Sequence, residues 1–172
     1  MTNQSYVCSS CGKEHEGLPT DWGFTLPDEA FELSFLQKYR RVRCNDDLCT
    51  LDESRHFVRG LLSLPFNYQP GSFSWGVWIE LDKATHDFYV EHFNDDVSAH
   101  ARVPGTLAND LPGYGAGLGQ HIEMEFQPGN ARPLFYLQDS TNQLAIDQES
   151  GISADRHHAL LDACGYFTET AA

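Results

Sequence analysis

Hydrophobic and polar positions along this chain follow two periods, one helical and one alternating, separated by turns bearing Pro and Gly. After Leu26-Pro27-Asp28-Glu29, apolar residues stand at Ala30, Phe31, Leu33, Phe35, Leu36 and Tyr39, a spacing that predicts a helix over 28–40. The segments 56–64 (HFVRGLLSL) and 73–81 (FSWGVWIEL) are rich in aromatic and β-branched residues and read as strands. The PFNYQPGS between them supplies turn chemistry for an antiparallel pair. Helical spacing returns over 83–93 with Phe88, Val90 and Phe93, while 106–120 predicts a short helix ending near Leu111 and then a Gly-rich loop. Residues 121–126 alternate, with Ile122, Met124 and Phe126 on one face, and a PGNA turn joins them to 132–138 as a second hairpin. Ser153 is placed to cap a helix over 153–163, where Ala154, His158 and Leu161 share a stripe.

Strands therefore cluster in the middle of the chain, with helices towards both ends. The expected fold class is α+β: a mainly antiparallel sheet with flanking helices and an N-terminal Cys-x2-Cys knuckle. No repeat or linker interrupts the pattern, and 172 residues suit a single domain over 1–172, with 1–52 as a zinc-binding segment within it. No apolar run reaches the roughly 18 residues of a membrane span. The start MTNQSYVC has neither the basic nor the apolar region of a secretion signal, so the expected location is cytoplasmic.

Charge narrows the partners. Eleven Lys and Arg stand against 25 Asp and Glu, a formal net charge of −14. Such a surface repels nucleic-acid phosphates and anionic lipid, which argues for no nucleic acid and no membrane. It would attract a basic protein, although acidity also serves plain solubility. The acids are scattered, as at Asp46-Asp47, Asp52-Glu53 and Asp95-Asp96, and form no tail.

Candidate chemistry centres on cysteine. Without a secretion signal, five cysteines point to metal, redox or packing roles rather than a disulfide framework. Cys8-x2-Cys11 is a turn that delivers two thiolates to one point, with Gly12 permitting the tight bend, and zinc favours thiolate and imidazole in a tetrahedron. The expected zinc ligands are Cys8, Cys11 and Cys49, with His15 or Cys44 at the fourth vertex; the x4 spacing of Cys44 and Cys49 is looser than a second knuckle requires. A thioredoxin-like role for Cys8-Ser9-Ser10-Cys11 is disfavoured because the motif lies at the chain start with no βαβ pattern before it. Cys164 reads as a small buried hydrophobe. His157 and His158 project about 100° apart on a helix and cannot easily grip one metal together. No nucleophile elbow, H-E-x-x-H or phosphate loop is present, so no catalytic residue is assigned.

Two further features invite structural readings. Trp75 and Trp78 differ in parity, which places one indole in the core and the other at solvent or a cleft, unless helices or loops cover both faces of the sheet. Arg59, inside an apolar strand, needs a carboxylate if buried, and Asp47 and Asp52 are the nearest in sequence; an anion-binding Arg59 is the alternative.

Taken together, these residues resemble the uncharacterised bacterial family catalogued as domain of unknown function 2199. The resemblance covers most of the chain. It rests on Cys8-Ser-Ser-Cys11-Gly12 with His15, Gly17-Leu18-Pro19, Asp47-Leu48-Cys49 and Asp52, then on Phe57-Val58-Arg59-Gly60 and Trp75-Gly76-Val77-Trp78. It continues through Leu111-Pro112-Gly113-Tyr114, Arg132-Pro133 and Ala145-Ile146-Asp147-Gln148 with Gly151-Ile152. It implies a small bacterial, cytoplasmic protein and brings no established activity. The family pattern has an apolar residue where this chain has Cys44, which favours His15 as the fourth ligand. Two function classes follow: a non-enzymatic binding protein with a structural zinc site, or a zinc-dependent or Arg-assisted hydrolase acting on a small anionic substrate.

Overall fold

The computed structural model describes residues 5–8, 12–115, 117–139 and 141–168. In chain order its elements are β1 (Tyr6–Val7), β2 (Glu14–His15), β3 (Asp21–Gly23), α1 (Asp28–Phe31), α2 (Phe35–Arg41), β4 (Val42–Cys44), β5 (Leu48–Leu51) and β6 (Arg55–Pro65). There follow β7 (Ser72–Leu81), α3 (Lys83–Glu91), β8 (Val103–Leu107), β9 (His121–Glu125), β10 (Leu134–Leu137), α4 (Gln143–Ser150) and α5 (Ala154–Ala163).

The four expected strands all form and share one sheet, but that sheet is not open. β6 pairs antiparallel with β7 from His56↔Leu81 to Pro65↔Ser72. β7–β8, β8–β9 and β9–β10 continue antiparallel, and β10 returns to β6 in parallel at Leu134↔Leu61. The five strands β6 to β10 therefore close into a barrel. This corrects the expectation of an α+β domain with flanking helices: the molecule is mostly β, a closed barrel with extra strands and few helices. Closure is a tertiary event, since it needs Leu134 to find Leu61 across 73 positions, and no local period encodes it.

The barrel is filled by side chains, as expected for so few strands. Alternation on β6 and β7 turns Val58, Leu62, Leu64, Phe73, Trp75, Val77 and Ile79 inward, and Ile122, Met124 and Phe135 meet them. Gly60 faces the same interior because nothing larger fits. A Cβ there would lie 2.4 Å from Cζ of Phe135 and 2.6 Å from the carbonyl of Pro133.

The outer face of β6 and β7 carries a second layer of Cys49, Leu51, Phe57, Trp78 and Ala108. It is roofed by Phe24, Leu26 and Leu33 from the segment before β4 and by Val42 at its start. Trp75 and Trp78 do lie on opposite faces, and both are fully buried, because that roof covers the outer face as well. The Trp78 indole donates to the Phe24 carbonyl at 3.0 Å. Asn109 fixes the roof further. Its Oδ1 accepts from the Trp78 amide at 2.8 Å, and its Nδ2 donates to the Leu26 carbonyl and the Asp28 carboxylate.

The expected helices over 83–93 and 153–163 correspond to α3 and α5, and Ser153 caps α5 by accepting from the Arg156 amide. The helix over 28–40 breaks into α1 and α2, because Ser34 and Gln37 form a capping box that starts a new helix. The short helix expected over 106–111 does not form: Thr106 and Leu107 end β8, and 108–111 are loop. Gly105 of β8 lies so close to β7 that a Cβ would meet Ile79 at 2.9 Å, a packing demand that overrides local propensity. Among the described residues no helix is long and apolar enough to cross a membrane.

Gly60→Ala drives a methyl into the Phe135 ring and should cost about 1–3 kcal/mol as overpacking. Urea melts of Gly60→Ala check this, and adding Phe135→Leu should return part of the loss.

Candidate metal centre

β1 and β2 form a short hairpin in the register Tyr6↔His15 and Val7↔Glu14. Just beyond β1, the Cys8 amide donates to the Lys13 carbonyl at 2.9 Å, and the Gly12 amide donates to the Cys8 carbonyl at 2.8 Å. These bonds carry the pairing one step past β1 towards the turn, so Cys8 and His15 share one face of the hairpin, the face that meets α5. There His158 completes a cluster in which one ligand atom each of Cys8, His15 and His158 lies within 4.8 Å of the others. Ligand atoms around a tetrahedral zinc stand about 3.3–4 Å apart, so a small contraction would seat the ion.

Cys8 and His158 are buried, 0% and 6% exposed, and His15 is half-buried. The His158 ring stacks on Phe167 at 4.2 Å and sits 4.5 Å from the His15 ring, which Tyr6 flanks on its other side at 5.5 Å. Burial, and then the charge of His15, hold the His158 imidazole below its ordinary range. A neutral imidazole is the form that donates a lone pair to a metal.

Of the expected ligands, the structure brings Cys8 and His15 together, and Cys11 lies outside the described residues. Cys49 is elsewhere. Asn45 Oδ1 accepts from the amides of Asp47 and Leu48 and tightens the turn between β4 and β5. That turn sets Cys44 directly opposite Cys49, and the two are joined in a disulfide with Cα atoms 4.1 Å apart. Both sulfurs are thereby committed, so neither Cys49 nor Cys44 joins the cluster. The x4 spacing that was loose for a metal knuckle is right for a cross-strand bond in a tight hairpin.

His158 is the candidate ligand that sequence reasoning passed over, although its signal was present. Adjacent histidines diverge, and the structure uses them separately. His157 is buried against the barrel, where its Nε2 donates to the Pro19 carbonyl at 2.7 Å. Its Nδ1 then accepts from the Tyr68 hydroxyl at 2.7 Å. Only His158 is left to face the hairpin.

Arg59 also departs from expectation. Its amide donates to the Asp47 carbonyl at 2.9 Å, but its guanidinium pairs with neither Asp47 nor Asp52. The Asp47 carboxylate accepts from Arg132 at 3.0 Å, and Asp52 is gripped by Arg41 through two bonds of 2.7 Å. Among the described residues no carboxylate lies within 4.0 Å of the Arg59 guanidinium. It crosses β7 and rests on the parallel pair Gly76 and Gly23, where a Cβ on Gly23 would stand 2.8 Å from Nη2. Its Nε is buried with no hydrogen-bond partner. Burial and the neighbouring charge of Arg132 hold this guanidinium below its ordinary value.

A fully satisfied buried carboxylate gives the contrast. Asp147 accepts from Tyr114, Gln143 and Arg156 at 2.6, 2.7 and 3.0 Å and ties α4, α5 and the 114 loop together. Every partner there is supplied by the chain, which marks the network as structural.

The model of the family described as "Uncharacterized protein conserved in bacteria (DUF2199)" matches residues 7–152, and the chain belongs to that family. No curated protein and no solved structure matches it. The matched span includes Cys8, His15 and Arg59, while α5 with His158 follows it.

With Cys44 and Cys49 bonded, protein denatured without reductant should offer two fewer reactive thiols than protein denatured after reduction. Mass spectrometry after alkylation reads this directly, and both missing thiols should map to Cys44 and Cys49.

Proposed function

We propose that this protein is a small, non-enzymatic bacterial binding protein whose N-terminal hairpin is fastened to α5 by a structural zinc. The observation that carries the reading is the convergence of Cys8, His15 and His158 from two distant parts of the chain. The burial of Cys8 and His158 beside aromatic rings supports a structural site over an open catalytic one, which would keep a position for water. Cys11, three residues after Cys8 in the sequence, is the proposed fourth ligand. The acidic surface suits a basic protein partner.

Metal analysis of protein purified without chelator or nickel should give one zinc per chain. Cys8→Ser and His158→Ala should each abolish it, while Cys49→Ala should leave it intact. Removing the zinc should lower the melting temperature, since an ion bound only by the native state stabilises that state by mass action. Zinc-free protein, or zinc content indifferent to His158→Ala, would overturn the reading.

A second reading is favoured by one observation, the Arg59 guanidinium held on its glycine floor with its Nε unbonded and no ion pair among the described residues. It makes Arg59 the anchor of an Arg-assisted site for a small anionic substrate. Because Arg59→Met strands no carboxylate, it should leave stability unchanged or raised rather than cost the roughly 3–5 kcal/mol of breaking a buried pair. Sulfate or phosphate should raise the melting temperature of the natural protein more than that of Arg59→Met. An equal rise in both would be general salt exclusion and would sink the anion site.

A further inference from the structure

The strip formed by α1, α2 and the residues flanking them faces solvent with side chains that belong in an interior. Phe31, Phe35, Leu36 and Tyr39 are 62%, 84%, 61% and 74% exposed. No residue of α2 is buried. Four large apolar side chains side by side on short helices form the kind of patch that soluble chains keep for contacts.

The strip is held rigidly. Ala30 is buried and Leu33 packs on the second layer, so the underside of the segment does the roofing. The Asp28 carboxylate accepts from Asn109 and from the Asp110 amide at 2.9 and 2.7 Å, and Glu29 pairs with Arg55. The Lys38 ammonium lies over the Phe31 ring at 5.1 Å, bridging the two helices. The outward aromatic side chains add nothing to this roof.

Charge along the strip is ordered. Its first end carries Asp28, Glu29 and Glu32, its centre is apolar, and its last end carries Lys38, Arg40, Arg41 and Arg43. Those four are over a third of the 11 Lys and Arg in the chain, gathered in six positions. Several of the charges are spent within the molecule, as in Glu29–Arg55 and Arg41–Asp52. Glu32 and Arg40 have no ion pair among the described residues, and both are exposed. They flank Leu36 at equal distance in sequence.

We propose that this strip is a two-fold dimerisation surface whose occupant is a second copy of the same chain, packed antiparallel about an axis near Leu36. An isologous contact brings the same patch from both copies together, so it must complement itself. Here an acidic end, an apolar centre and a basic end do so only when one strip is reversed. The reversal sets Glu32 against the partner's Arg40 and repeats that pair on the other side of the axis. A net charge of −14 disfavours an anionic bilayer or nucleic acid as the occupant, whereas a symmetric contact pairs the local charges. Two short helices make a small interface, so the dimer is weak and sensitive to salt.

Sedimentation over a range of concentrations at low salt tests the proposal. The natural chain should pass from monomer to dimer as concentration rises, and Phe35→Asp should abolish the shift. Glu32→Arg and Arg40→Glu should each weaken the dimer roughly tenfold, since either change inverts two exposed pairs at once. Combined in one chain, the two reversals should restore most of the affinity, an outcome that simple loss of folding cannot produce. Circular dichroism and zinc content should be unchanged in all variants, which separates failure here from failure of the metal reading. A monomer at every concentration would overturn the proposal, as would a dimer indifferent to Phe35→Asp and the reversals. So would a monomer that sediments with phosphatidylserine vesicles through the same residues, which would make the strip a lipid contact.

Discussion

The structure depends on a change of partner along one strand. β6 is eleven residues long and serves two neighbours on the same edge. Its first half pairs with β5, and its second half accepts β10. The exchange falls at Gly60. The Arg59 amide donates back to Asp47 and the Leu61 amide donates forward to Pro133, each at 2.9 Å. Arg132 and Asp47, one from each neighbour, pair across the gap. Gly60 lets Phe135 reach the interior at that point, and the barrel closes because no side chain obstructs it.

Everything else is attached to this closed unit. A barrel buries its interior on one side and leaves β6 and β7 with an apolar outer face, so the chain must supply a roof. The segment 24–42 does so with its inner residues, which leaves its outer aromatics uncovered. At the other end of the same strands, His157 anchors α5 to Pro19 and Tyr68. That anchoring turns the neighbouring His158 towards Cys8 and His15. The candidate metal centre thus follows from how the barrel holds α5, and an ion there would join the first and last elements of the fold.

Cysteine chemistry shows how geometry divides residues that look equivalent in a list. Cys8 ends in a pocket with two imidazoles, where a thiolate can ligate. Cys44 and Cys49 face each other across a hairpin, where they bond to one another. Cys164 is half-buried beside the main core, and burial pushes its thiol up to about 11, which keeps it protonated and unreactive. One residue type serves three roles, and the neighbours alone choose among them.

Periodicity by itself determined the four long strands, their two hairpins, α3, α5 and its Ser153 cap, because each rests on contacts between residues near in sequence. Residue type and spacing made Cys8 and His15 candidate ligands, a Cys-x2-Cys turn with an imidazole four residues on, while their meeting across a hairpin is seen only in the structure. Membership in an uncharacterised bacterial family was legible in scattered short motifs such as Phe57-Val58-Arg59-Gly60. Only the tertiary structure decided that the sheet closes, because Leu134 meets Leu61 through a parallel pairing that neither segment specifies alone. The same holds for β8, which became a strand because β7 and β9 each needed a neighbour. It holds for Asp47 and Asp52, which turned to Arg132 and Arg41 and left Arg59 on its glycines. It holds above all for His158. A side chain's chemistry is written in the sequence, but the partner it meets 143 positions away is set by packing, and packing is a property of the whole chain.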